Sequence, residues 1–124
     1  MAHSMGGLAV RHLLHALPER DFVRRVIFLG TPHAGTLAAW LAWGAGGSDM
    51  RPGSVFLSAL ARQPAAPAEL ISIRTPLDMR VFPGASAVLS GARNITVWCA
   101  GHRRLLRASS VLRLIQSLLE DGSN

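Results

Sequence analysis

With 124 residues, 49 % hydrophobic and 16 % charged, the chain is one domain at most and is too apolar to be a disordered tail. Its formal net charge of +6 is carried by arginine without lysine. The arginines are scattered from Arg11 to Arg113, with doublets only at Arg24-Arg25 and Arg103-Arg104 and no interleaved aromatics, so a solvated basic face is expected and not a nucleic-acid stripe. The single cysteine, Cys99, excludes an internal disulfide and implies no oxidising compartment.

No run reaches the roughly 18 apolar residues of a membrane helix, so no stable membrane insertion is expected. The first residues lack the basic region of a signal peptide. A cytoplasmic location is the default, with secretion of a longer parent protein left open. Short strand-like runs alternate with helix-like runs, which predicts α/β architecture with a parallel sheet of three to four strands flanked by helices.

In chain order, a helix is predicted over 6–17, where Leu8, Leu13, Leu14 and Leu17 form one stripe that Pro18 ends. A strand follows within 23–29, just after Asp21. Its continuous run Val26-Ile27-Phe28-Leu29 suits a sheet covered on both faces. Residues 30–36 (GTPHAGT) form a loop, 37–43 a short helix, and 44–53 a flexible glycine-rich connection. Ser54 is expected to cap a helix reaching Leu60 or Ala61. Strands are predicted over 70–75 and 94–99, and the last helix begins at Ser109 or Ser110 with an apolar face of Val111, Leu112, Leu114, Ile115, Leu118 and Leu119.

Three polar side chains fall where chemistry needs them. Ser4 lies in Ala2-His3-Ser4-Met5-Gly6, a serine with small residues at −2 and +2 opening a helix, the pattern of a nucleophile elbow. The strand and helix approach closely at such a turn, so larger side chains at −2 or +2 are expected to clash. A serine hydroxyl needs a base within hydrogen-bond reach, and that base needs an orienting carboxylate. Asp78 follows the 70–75 strand and His102 the 94–99 strand, so both project from the strand ends that would also carry Ser4. Asp21, Asp49 and Asp121 fit less well, and Ser4 and Asp78 have simpler alternatives as a helix cap and a turn residue. Among the other histidines, His3 is expected to be structural, His12 and His15 to lie on the first helix, and His33 to shape a pocket rim. His12 and His15 lack metal-site spacing, so no metal is expected. Trp40, Trp43 and Phe56 either line an acyl pocket or lid, or fill core.

Together, the motifs Ala2–Gly7, Gly30–Thr36, Met50–Ser54 with Phe56-Leu57, Asp78 with Val81, Pro83 and Ser86-Ala87, and Gly101-His102 with Leu105-Leu106 resemble those of bacterial triacylglycerol lipases and related esterases of the α/β-hydrolase fold. The resemblance spans nearly the whole chain. It implies a single domain over 1–124 with the partial α/β-hydrolase fold, and a lid or cap segment over 37–62. It also implies cofactor-free hydrolysis of an ester or lipid through an acyl-enzyme, with Ser4 as nucleophile, His102 as base, Asp78 as acid and the Met5 N–H as one oxyanion donor. His33, Trp40 and Phe56 are the candidate substrate contacts. Calcium, held in some such lipases near the histidine loop, is not expected beside Arg103 and Arg104.

In that family, strands and a second oxyanion donor loop precede the elbow, whereas this sequence opens inside the elbow strand. The expectation is therefore an N-terminally truncated hydrolase, from a shortened gene call or a gene remnant. An inactive fragment with a partner-binding role is the alternative to an active ester hydrolase, and oligomeric state is left open.

Overall fold

The computed structural model describes residues 1–17 and 22–122; the expected helix stop at Pro18 and the lesser acid candidate Asp21 lie outside them. Four strands, β1 (Ala2–His3), β2 (Arg25–Leu29), β3 (Glu69–Arg74) and β4 (Arg93–Thr96), form one sheet in the order β1-β2-β3-β4. Every neighbouring pair is parallel, with Ala2 opposite Phe28, Ile27 opposite Ile71 and Ile73 opposite Ile95. Four helices accompany it: α1 (Met5–Ala16), α2 (Ala45–Asp49), α3 (Val55–Ala61) and α4 (Ser109–Glu120). The α/β class and the all-parallel sheet agree with the sequence-based expectation.

The unbroken apolar run of β2 is divided by the strand's two-residue period. Val26 and Phe28 face one side, where they pack in a cluster with Leu14 and Val10 of α1. Ile27 and Leu29 face the other and join Ile71 and Ile73 of β3 with Val111, Ile115 and Leu118 of α4. Helices therefore cover both faces, the reason a central parallel strand carries no polar alternation. On the α1 side, Leu57 and Leu60 of α3 pack against Leu8. The Ser54 hydroxyl caps α3 by accepting the Leu57 N–H at 3.1 Å, as expected.

Three local expectations change. The stretch expected to be a flexible connection contains α2, begun by Gly44 at φ 91°. The short helix expected over 37–43 is present but is a narrower 3₁₀ helix over Leu37–Leu41, with three residues per turn. The last strand stops at Thr96, not Cys99; Val97 adds one more bond, N–H to the Arg74 carbonyl at 2.8 Å, before the chain leaves the sheet.

Candidate functional site

Ser4 stands between β1 and α1 at φ 54°, ψ −133°, the one non-glycine residue with positive φ among those described. Its N–H extends the β1–β2 ladder by donating to the Leu29 carbonyl at 2.9 Å. It occupies the cap position of α1, yet its side chain makes no capping hydrogen bond. The backbone is sterically costly and gains no capping hydrogen bond in return, so helix initiation does not account for a serine here. The next residue, Met5, opens α1, so by position its N–H has no intrahelical acceptor.

The close approach expected beside the serine exists, but one residue later. A Cβ built on Gly6 would meet nothing within 4 Å, whereas one on Gly7 would fall 2.0 Å from Thr31 Oγ1. Gly6 is the +2 position, so the expected clash there is not found. Helix α1 and the loop after β2 touch instead through Gly7 and fully buried Thr31.

Asp78 and His102 meet beyond the ends of β3 and β4. His102 Nδ1 donates to Asp78 Oδ2 at 2.6 Å, and both residues are buried, at 7 % and 2 % exposure. The other carboxylate oxygen, Oδ1, accepts the Arg80 and Val81 N–H groups at 2.8 and 2.9 Å. Burial pushes the Asp78 carboxyl up, but the His102 and backbone hydrogen bonds outweigh it and hold the group below the ordinary aspartate range. An ionised Asp78 fixes the ring with its proton on Nδ1, leaving Nε2 as the basic atom. The His3 ring lies against that of His102 with centroids 4.5 Å apart, and His3 Nε2 is 3.4 Å from the His102 carbonyl. Burial, and then the charge on a protonated His102, depress the His3 pKa.

Ser4 and His102 line one depression. The serine hydroxyl makes no hydrogen bond to the ring.

The sequence marked the loop holding Gly30 and Thr36 as a motif without revealing what those two residues support, and it gave no signal for Thr75. Gly30, at φ 53°, ends β2 beneath the pair; a Cβ there would meet Leu105 Cδ1 at 2.9 Å, Asp78 Oδ2 at 3.2 Å and His102 Cε1 at 3.3 Å. Thr75 Oγ1 donates to the Cys99 carbonyl at 2.7 Å and accepts the Leu77 N–H at 3.3 Å, joining the aspartate and histidine loops. Thr36 Oγ1 donates to the Arg80 carbonyl and accepts the Phe82 N–H, at 2.8 and 2.9 Å, clamping the segment just after Asp78.

The three candidate substrate contacts lie elsewhere. His33 is not at a pocket rim beside Ser4; it is buried under α1, edge-on to Phe28 at 4.9 Å and between Ser72 and Arg11. The Ser72 hydroxyl gives its only hydrogen to the Ala87 carbonyl at 2.7 Å. The His33 ring must therefore donate Nε2–H to Ser72 and accept at Nδ1 from Arg11, over long contacts of 3.3 and 3.4 Å. Burial and the nearby Arg11 charge lower its pKa to about 3. Trp40 is displaced by the three-residue period of its turn, which puts it on the outward face with Leu37; its ring lies 4.5 Å under the Arg51 guanidinium. Phe56 packs with the α1–α3 cluster, 6.1 Å from the His12 ring. The apolar surface beside Ser4 comes from Pro32, Ala38, Ala39, Leu41 and Val81 instead.

No helix among the described residues is long and apolar enough to cross a membrane, and no group of three or more His, Cys, Asp or Glu residues there has the geometry of a metal site. Compared with known proteins, the chain matches no family model and no curated sequence.

Proposed function

We propose that the chain is a serine-dependent carboxylic-ester hydrolase of the α/β-hydrolase type. The observation that carries this reading is the buried 2.6 Å Asp78–His102 pair, whose histidine borders the same depression as Ser4, a serine held at positive φ without capping anything. In a hydrolytic cycle His102 Nε2 takes the Ser4 proton as Oγ attacks the ester carbonyl carbon. The Met5 N–H faces the developing oxyanion. Collapse breaks the bond to the alcohol oxygen, which receives the proton from His102 and leaves an acyl-Ser4. Water, deprotonated by the same imidazole, then releases the acid and restores the hydroxyl. Asp78 keeps its charge throughout and stabilises the transient imidazolium.

Labelling with a fluorophosphonate tests this reading. Modification of the wild-type chain at Ser4, abolished in Ser4→Ala and lowered about 10³–10⁴-fold in rate in Asp78→Asn, is the expected result. A folded wild-type chain that stays unlabelled, or labelling elsewhere, rejects it and favours a non-enzymatic role.

A further inference from the structure

Ser4 stands between two depressions of contrasting chemistry. One, about 440 Å³, is walled mostly by apolar side chains, Pro32, Ala38, Ala39, Leu41 and Val81, and shares Arg80 with the other at its border. The other, about 400 Å³, holds His102 together with Arg80, Arg103 and Arg107, and no acidic residue lines it. We propose that the second is an anion subsite for the alcohol half of the substrate, so that the enzyme prefers acyl esters of alcohols bearing a phosphate or carboxylate. This rests on the ester-hydrolase reading above.

The assignment of halves follows from the proton. His102 must protonate the departing alcohol oxygen, so the alcohol lies on the side that His102 lines, and the apolar side is left for the acyl chain. Three guanidinium side chains border the alcohol side. Among the described residues none of them forms an ion pair with a carboxylate. Like charges gathered around one small depression repel, and an anionic ligand relieves that repulsion where a neutral alcohol does not. Guanidinium forks also match the paired oxygens of phosphate and carboxylate.

Their backbones are held as firmly as the catalytic pair. The Arg80 N–H donates to Asp78 and its carbonyl accepts from Thr36. Arg103 lies within the turn His102–Leu106 and Arg107 ends it; Leu105, fully buried three residues after His102, pins the same face to the core. The Arg107 N–H closes that turn on the Arg104 carbonyl at 3.0 Å. The loop that delivers the base thus delivers two of the three cations, and the loop of Asp78 delivers the third.

The test compares two ester pairs that differ by one anionic group on the alcohol. The first pair is 4-nitrophenyl butyrate and its 3-carboxy derivative. The second is phenyl butyrate and 4-(phosphonooxy)phenyl butyrate. The readout is the ratio of kcat/KM, anionic over neutral, in wild type and in the Arg103→Gln/Arg107→Gln double variant, which cancels intrinsic ester reactivity and any general loss of folding. A roughly five- to tenfold fall of that ratio in the variant is expected for two partly solvated charges, shrinking at high salt. Whichever pair responds identifies the anion. An unchanged ratio in both pairs overturns the subsite. Independently of turnover, phenyl phosphate should saturate the wild-type chain in an NMR titration that shifts the His102 ring, and the double variant should lose that binding. No saturable binding overturns the subsite as well. Fluorophosphonate labelling without a charge preference removes the subsite and keeps the hydrolase; phenyl phosphate binding without labelling does the reverse.

Discussion

The backbone of Ser4 combines φ 54° with ψ −133°, a region in which an L-residue is strained by about 1–3 kcal/mol. Glycine tolerates it, though its greater freedom in the unfolded chain offsets part of the gain. Ser4→Gly should therefore stabilise the protein by about 1 kcal/mol in urea denaturation while abolishing fluorophosphonate labelling. A loss of stability would mean that the serine is there for folding. Position at strand ends was enough to anticipate that Asp78 pairs with His102 and that His102 shares a depression with Ser4, because a strand end limits where a side chain is delivered. His33 does line a depression, but one on the α1 side and not the one beside Ser4, and its burial was not legible because a histidine in a loop carries no mark of it; its neutral state depends on Arg11, Ser72 and Phe28, all brought in from other elements.

At the scale of elements, three neighbouring contacts separate glycines that are needed from one that is not. A Cβ on Gly6 meets nothing, one on Gly7 overlaps Thr31, and one on Gly30 presses on Leu105, Asp78 and His102 in a left-handed backbone. Gly6→Ala is expected to raise stability by about 0.5–1 kcal/mol through helix propensity. Gly7→Ala should lower it by about 1–3 kcal/mol through overpacking. Gly30→Ala should cost a comparable amount and, in addition, lose most of the labelling rate of folded protein, since it displaces the acid–base pair. Thermal unfolding of the three variants, with labelling of the third, checks the series; a destabilised Gly6→Ala would contradict the packing of α1. Helix and strand identities were legible from period and capping, as Ser54 and the α4 stripe illustrate. A short helix at 37–43 was legible, but the three-residue period of the 3₁₀ helices Leu37–Leu41 and His102–Leu106 was not, because so short a segment leaves no periodic signal, and in the first of them that period puts Leu41 and not Trp40 on the depression beside Ser4.

For the molecule as a whole, the two faces of the sheet respond differently to acid. His33, in the α1-side layer, titrates at about 3 when folded and near 6.5 when unfolded. Between those values the unfolded chain binds a proton that the folded chain refuses, so its contribution is complete above about pH 6.5 and is lost progressively as pH falls. Burial and the His102 charge give His3 the same sign. Asp78, depressed in the folded state, adds its own loss only below about pH 4, where unfolded aspartate takes up protons. Unfolding free energy should thus fall by about 2–3 kcal/mol from pH 7 to about pH 4.5 through His33 alone, and His33→Gln should flatten that slope. An equally steep slope in the variant would place the titrating group elsewhere.

Composition and the alternation of apolar runs by themselves determined the α/β class, the parallel sheet and its two covered faces, because burial on both sides of a strand leaves its mark in every consecutive residue. They also set the order serine, aspartate, histidine along the strand ends. Only the tertiary structure decided what surrounds those three groups. Gly30, Thr36 and Thr75 support the pair through contacts with distant loops, Gly30 with Asp78 and His102, Thr36 with Arg80 and Thr75 with Cys99. Arginines that look scattered along the chain, Arg80, Arg103 and Arg107, converge on one depression. Side chains from separate loops become neighbours through packing, and no spacing along a single segment encodes that convergence.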